Sequence, residues 1–145
     1  MQRQQSYDNH VRFHRPFHFF LMPLTLIVLI GSVVNLFPRF RGGIEFWFSI
    51  VILLWTVAFV VTVAIERMYA NKVQDRIIRM EENFRHYVLT GKILDSRLTL
   101  LQIIALRFAS DAEFVDLAER AVNENLSGDT IKKSIREWKP DFLRV

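Results

Sequence analysis

The chain contains no cysteine. That absence excludes disulfides, thiolate zinc sites and thiol nucleophiles. Glycine and proline are scarce, with five and four among 145 residues, so there are few points at which the backbone must turn. No G-x-x-x-x-G-K-S/T phosphate loop, G-x-S-x-G elbow, H-E-x-x-H pair or dinucleotide fingerprint occurs. Strand-like alternation and internal repeats are also missing. We therefore read the chain as a non-enzyme with no cofactor and no metal.

Charge is missing from two long stretches. Neither Phe17 to Phe37, FHFFLMPLTLIVLIGSVVNLF, nor Phe46 to Ile65, FWFSIVILLWTVAFVVTVAI, contains Lys, Arg, Asp or Glu. Each is about 20 residues long, and at about 1.5 Å per residue a helix of that length crosses a hydrocarbon core of about 30 Å. A cleaved secretory signal fits the first stretch poorly. The stretch exceeds the usual apolar region of about 7 to 15 residues, lacks a small-x-small cleavage site, and is followed at once by a second stretch.

Between them, PRFRGGIE places Pro38 where the first helix stops and Gly42-Gly43 where the chain reverses. The expected fold is an all-α membrane protein: a two-helix transmembrane hairpin whose second span extends into a small cytoplasmic helical bundle. The boundaries expected are an interfacial segment 1–16, a first span 17–37, an external connector 38–45, a second span 46–65 and a cytoplasmic domain 66–145. Basic residues set the orientation. Arg3, Arg12 and Arg15 precede the first span and Arg67, Lys72, Arg76, Arg79 and Arg85 follow the second, against Arg39 and Arg41 in the connector. Both termini are thus expected in the cytoplasm, and the compartment expected is a bacterial inner membrane.

From Glu66 to Val145, fourteen Lys or Arg face thirteen Asp or Glu, so no basic nucleic-acid face is indicated. The basic surplus reads instead as attraction of the juxtamembrane segments to anionic lipid. From Ile65 to Leu89 neither Pro nor Gly interrupts the helical pattern, so the second span is expected to continue into water. Along it Val73, Ile77, Met80, Phe84 and Tyr87 are spaced 4, 3, 4, 3, an a/d seam of about two heptads. Such a stripe either packs on the chain's own bundle or associates with another chain. Gly91 suits a helix stop. With the two spans as the first and second helices, the second running on through about 66–89, a third, fourth and fifth are expected at about 95–109, 111–125 and 128–138. The third has Asp95 or Ser96 as cap and Leu98, Leu101, Ile104, Ala105 and Phe108 inward. The fourth opens on an S-x-x-E box, Ser110 to Glu113, with Phe114, Leu117, Ala118, Ala121 and Val122 inward. The fifth is capped by Ser127, with Ile131, Ile135 and Trp138 inward.

Four groups of residues are candidates for function. His10, His14 and His18, with Arg12, stand at the entry of the first span. Imidazoles spaced by four share a helix face and suit a metal or haem, but Pro16 disfavours helix at Arg15, and headgroup anchoring explains the same residues. His10, His18 and Arg12 remain as interfacial or ligand candidates. Pro23, Gly31, Ser32 and Asn35 form a small or polar set inside the first span, where Asn35 must find a hydrogen-bond partner. No ionisable residue lies deep in either span, so a proton or ion relay lacks its usual groups. Val73, Ile77, Met80 and Phe84 are the candidates for helix association. Arg107, Ser110, Asp111 and Glu113 are candidates for capping and pairing, with the Arg107 head bonded to Asp111 or Glu113. Glu81-Glu82 and the set Asp111, Glu113, Asp116 and Glu119 read as solvated faces.

The stretches YDNHVRFHRPFHFFLMP, GSVVNLF, IIALRFASDAEF and IKKSIREWKPDFLRV resemble a family of small bacterial membrane proteins known as a domain of unknown function. Asn9, His10, Arg12, Pro16, His18, Phe19, Pro23, Arg107, Phe108, Ser110, Asp111, Trp138, Pro140 and Asp141 carry the resemblance, and His14 lies outside it. The resemblance implies two N-terminal spans and a cytoplasmic helical tail, and no catalytic residues. Some members carry a transporter-permease label, for which this sequence offers no coupling segment. The function expected is that of a membrane-anchored scaffold or accessory subunit acting through helix association. Its partners would be the lipid bilayer and either further copies or another protein. The alternative is a homo-oligomeric channel or transport-related subunit whose first span faces a pore.

Overall fold

The computed structural model describes residues 6, 7, 14–39 and 42–141. The described residues form an all-α fold. A π-helical turn, Pro16–Leu21, leads into α1, Met22–Leu36, and a 3-10 turn, Phe37–Arg39, closes it. The remaining helices are α2, Ile44–Thr90, α3, Leu100–Leu106, α4, Asp111–Asn123, and α5, Gly128–Ser134. The chain divides into two compact units, Phe13–Ala70 and the residues from Asn71 onward together with Ser6 and Tyr7.

In the first unit, Pro16 does not keep Arg15 out of the helix. Arg15 has φ −52° and ψ −50°, and the His18 N–H donates to the His14 carbonyl at 3.0 Å. A proline in the first turn forfeits only an N–H that the helix start leaves unused. The π turn precedes Pro23, which has no N–H and whose ring crowds the carbonyl four residues back. A locally widened helix relieves that crowding.

Two helices are long and apolar enough to cross a membrane, Pro16–Arg39 and Ile44–Thr90. Only 6 % and 11 % of their most apolar windows is buried, which separates them from the core helices of a soluble fold. Phe19, Phe20, Ile27, Trp47, Phe48, Leu54 and Trp55 all stand exposed, so the helices are apolar all round. They run antiparallel. Asn35 meets Ser49 near one end, and the Arg67 guanidinium lies 5.2 Å from the Phe17 ring centroid near the other.

Polar groups in these helices are satisfied internally. Ser32, Ser49, Thr56 and Thr62 donate to the carbonyls of Leu29, Glu45, Ile52 and Ala58 at 2.8–2.9 Å. Such back-bonding satisfies each hydroxyl within its own helix.

The second unit has its core around Ile103, Leu106, Phe108, Phe114, Leu117, Ala121 and Ile131. The helix α3 starts at a Thr99 cap rather than at Asp95 or Ser96, in a reciprocal box with Gln102. Asp95 is engaged elsewhere, accepting from both the backbone N–H and the guanidinium of Arg97. The inward face of α3 is Gln102, Ile103, Ala105 and Leu106, whereas Leu101 is 72 % exposed. An apolar count places Gln102 outside. In the fold its amide donates to the carbonyls of Ala121 and Leu126, and these bonds make its burial tolerable. The face of α4 follows its apolar spacing, with Phe114, Leu117, Ala118 and Ala121 buried, whereas α5 stops at Ser134 rather than near 138. Ile131 is its buried residue, and Ile135 and Trp138 lie beyond it on extended backbone, the first buried and the second half-buried.

After α5 the chain is extended. It pairs with the α3–α4 link through an Ala109–Trp138 bridge, with Ser110 N–H donating to Glu137 O and Lys139 N–H to Phe108 O.

Candidate functional site: the outward seam of the long helix

From Asn71 to Thr90, α2 has two faces of different character. One face carries Ile78, Glu82 and Arg85. Ile78 and Glu82 retain only 6 % and 7 % exposure, and the Arg85 side chain 11 %. Arg85 is the hub. Its Nε donates to Asp111 at 2.7 Å, Nη2 to the Ala109 carbonyl at 2.7 Å and Nη1 to Glu82 at 3.0 Å. The guanidinium carbon also lies 4.2 Å from the Phe114 ring centroid, a cation–π contact. Burial pushes the Glu82 carboxyl above its ordinary value, although Arg85 pulls the other way. Glu82 is therefore not part of a solvated face, as its charge alone suggests. It is a buried partner of Arg85.

The opposite face is the heptad stripe. Val73, Ile77, Met80, Phe84 and Tyr87 are all exposed, from 45 % at Ile77 to 68 % at Phe84. With Ile77 and Phe84 at a and Val73, Met80 and Tyr87 at d, Ile78 and Arg85 fall at b and Glu82 at f. Those positions lie across the helix from the seam. The chain's own bundle thus takes the b/f side, and among the described residues the stripe does not pack on it. It is an apolar stripe on a charged helix, exposed among the described residues.

Helix α2 ends at Gly91, whose φ of +73° closes the helix in the left-handed conformation. Next to it His86 bonds the Lys92 carbonyl through Nδ1 at 2.7 Å, and Thr90 donates to the His86 carbonyl at 2.8 Å. A half-open cavity of about 360 Å³ lies here, bordered by His86, Asp95, Arg97 and Glu119. The Asp95 carboxyl is held at about 2 by its bonds to Arg97.

The capping and pairing candidates are rearranged. Ser110 has N-cap geometry but makes no side-chain cap bond, and its buried hydroxyl has no partner among the described residues. Glu113 does not reach back to close the box. Its carboxylate accepts from the backbone N–H groups of Arg136 and Glu137, both at 3.1 Å. Arg107 pairs with neither Asp111 nor Glu113. Its Nη1 stands 3.4 Å from Asp141 and its guanidinium 4.6 Å from the Phe108 ring centroid, at 5 % side-chain exposure. The reason is the returning extended segment. It brings Asp141 and two unpaired backbone donors to the start of α4, and these claim the charges that local spacing assigns to capping.

In the first unit, Asn35 is shared. Its Oδ1 accepts from Ser49 at 3.0 Å and from Arg39, which also lies 3.6 Å from Glu45. Ser32 is buried, whereas Gly31 has open space where a Cβ would stand and mediates no close approach. His18 packs edge-on against Phe17, with ring centroids 5.1 Å apart. His10 and Arg12 lie outside the described residues. Among the described residues no group of three His, Asp or Glu side chains is placed to hold a metal.

These features define a class: helical proteins with two helices long enough to span a membrane and an apolar stripe held away from their own core. The chain belongs to DUF6526, a family of unknown function, whose model matches residues 1–145. No curated protein and no solved structure matches it.

Proposed function

We propose that the chain is an integral protein of a bacterial inner membrane, anchored by its helical hairpin with both termini in the cytoplasm. It acts as a scaffold or accessory subunit through helix association along α2. The observation that carries this reading is the outward seam: five apolar side chains at heptad spacing, exposed while the far side of the same helix packs on the bundle. The orientation rests on eight basic residues flanking the spans on the terminal side against two in the connector. The pore alternative gains no support from Ser32 and Asn35, since both are bonded within the hairpin.

The test is photo-crosslinking from Ile77 and Phe84 in native membranes, with Arg79, at a c position, as control. Intermolecular adducts from the two seam positions and none from Arg79 are expected. Intramolecular products alone would refute the reading.

A further inference from the structure

We propose that the partner of the seam is a second copy of this chain, aligned parallel, with Arg76 of each copy paired to Glu81 of the other. The inference rests on the association reading above and names its partner. Two observations select a second copy.

The first is charge. In the heptad set by Ile77 and Phe84 at a, Arg76 occupies g and Glu81 the following e. In a parallel pair a g residue meets the e residue five positions on in its partner, so a symmetric pair holds two Arg76–Glu81 contacts. Neither residue has an ion-pair partner among the described residues, and both are exposed. An antiparallel pair instead sets g against g and e against e. There Arg76 does not meet Glu81 of the other copy, so the two attractions form only in the parallel arrangement.

The second is the extent of the stripe. Upstream, the next d position is Glu66 and the next a position is Ala70; downstream, the next a position is Gly91, past the helix end at Thr90. The seam is therefore about two heptads, too short to hold two helices together free in water, where three to four are needed. Two copies inserted the same way in one bilayer begin parallel and in register along the membrane normal. That raises their effective concentration and makes a short seam sufficient. A soluble partner of unrelated sequence has no such constraint.

Because the chain has no cysteine, single thiols report this geometry cleanly. Full-length Ile77→Cys and Phe84→Cys proteins in proteoliposomes, oxidised with copper phenanthroline, are expected to give disulfide dimers. Arg79→Cys is expected to give none. In the Ile77→Cys background, Arg76→Glu or Glu81→Arg alone replaces two attractions by two like-charge contacts and should weaken association about tenfold (~1.4 kcal/mol). The double exchange, Arg76→Glu with Glu81→Arg, should restore it. Equal dimer yield from Ile77→Cys and Arg79→Cys, or a double exchange no better than either single change, would overturn the proposal. Photo-adducts from Ile77 to a different protein, without disulfide dimers, would overturn the second copy and leave association standing. No intermolecular adduct of any kind would remove both.

Discussion

Replacing Arg85 by Met keeps the apolar stem and removes a guanidinium that joins α2, Asp111, the Ala109 carbonyl and the Phe114 ring. The largest loss falls on Glu82, 7 % exposed, which keeps its charge and loses its counter-ion. Removing one partner of a buried pair costs about 3–5 kcal/mol. The Ala109 carbonyl also loses a donor, but that cost overlaps the first, since contacts at one hub do not add. Asp111 keeps 64 % side-chain exposure and can be resolvated, so its share is small.

For a unit of this size, about 3 kcal/mol corresponds to a fall of at least about 12 °C in the unfolding midpoint. The measurement is thermal unfolding of the full chain in mild detergent. With Trp47 and Trp55 replaced by Phe, Trp138, packed 5.3 Å from Phe108, is the reporter. The loss should also depend on pH. Glu82 is raised above its ordinary value of 4.5 by burial, and removing Arg85 raises it further. A raised carboxyl contributes stability below its unfolded value and loses it as pH climbs through the folded value. The Arg85→Met deficit should therefore be smaller near pH 5 than near pH 8, and Glu82→Gln with Arg85→Met should recover part of it. A fall under about 4 °C, roughly 1 kcal/mol, or one equal at both pH values would refute the reasoning.

Gly128→Ala brings a Cβ within 3.0 Å of the Leu101 carbonyl and 3.7 Å of the Ala105 side chain, and should cost about 1–3 kcal/mol in the same unfolding assay. Glu113→Ala leaves the N–H groups of Arg136 and Glu137 without their acceptor. It should cost about 1–3 kcal/mol and speed amide exchange at those two residues first. Asn35→Val removes the acceptor shared by Ser49 and Arg39. It should weaken the hairpin by about 0.6–2 kcal/mol, read by Trp47 and Trp55 fluorescence during unfolding in SDS.

Much of the architecture was legible from residue order. Two uncharged stretches announce two helices long and apolar enough to cross a membrane, a property that length and composition alone set. Gly91 as the stop of α2, Ser127 as the cap of α5 and the inward face of α4 follow from spacing and turn chemistry. These are local properties, set within one or two turns of helix. The heptad stripe was legible too, as a pattern.

Its direction was not. Whether Val73 to Tyr87 faces the bundle or the outside depends on which side of α2 the chain returns to, and α4 and the link before it settle that through Asp111, Phe114 and the Ala109 carbonyl bound to Arg85. The same return overrides local reading elsewhere: Glu113 serves backbone donors at Arg136 and Glu137, Arg107 meets Asp141, and Gln102 is drawn inward by the carbonyls of Ala121 and Leu126. Each partner lies 19 or more residues away in sequence. Periodicity and capping rules reach only three or four residues, so they determine that a helix forms and where it is apolar. Only tertiary packing, which must satisfy every buried charge and amide, decides which face is covered and which is left exposed.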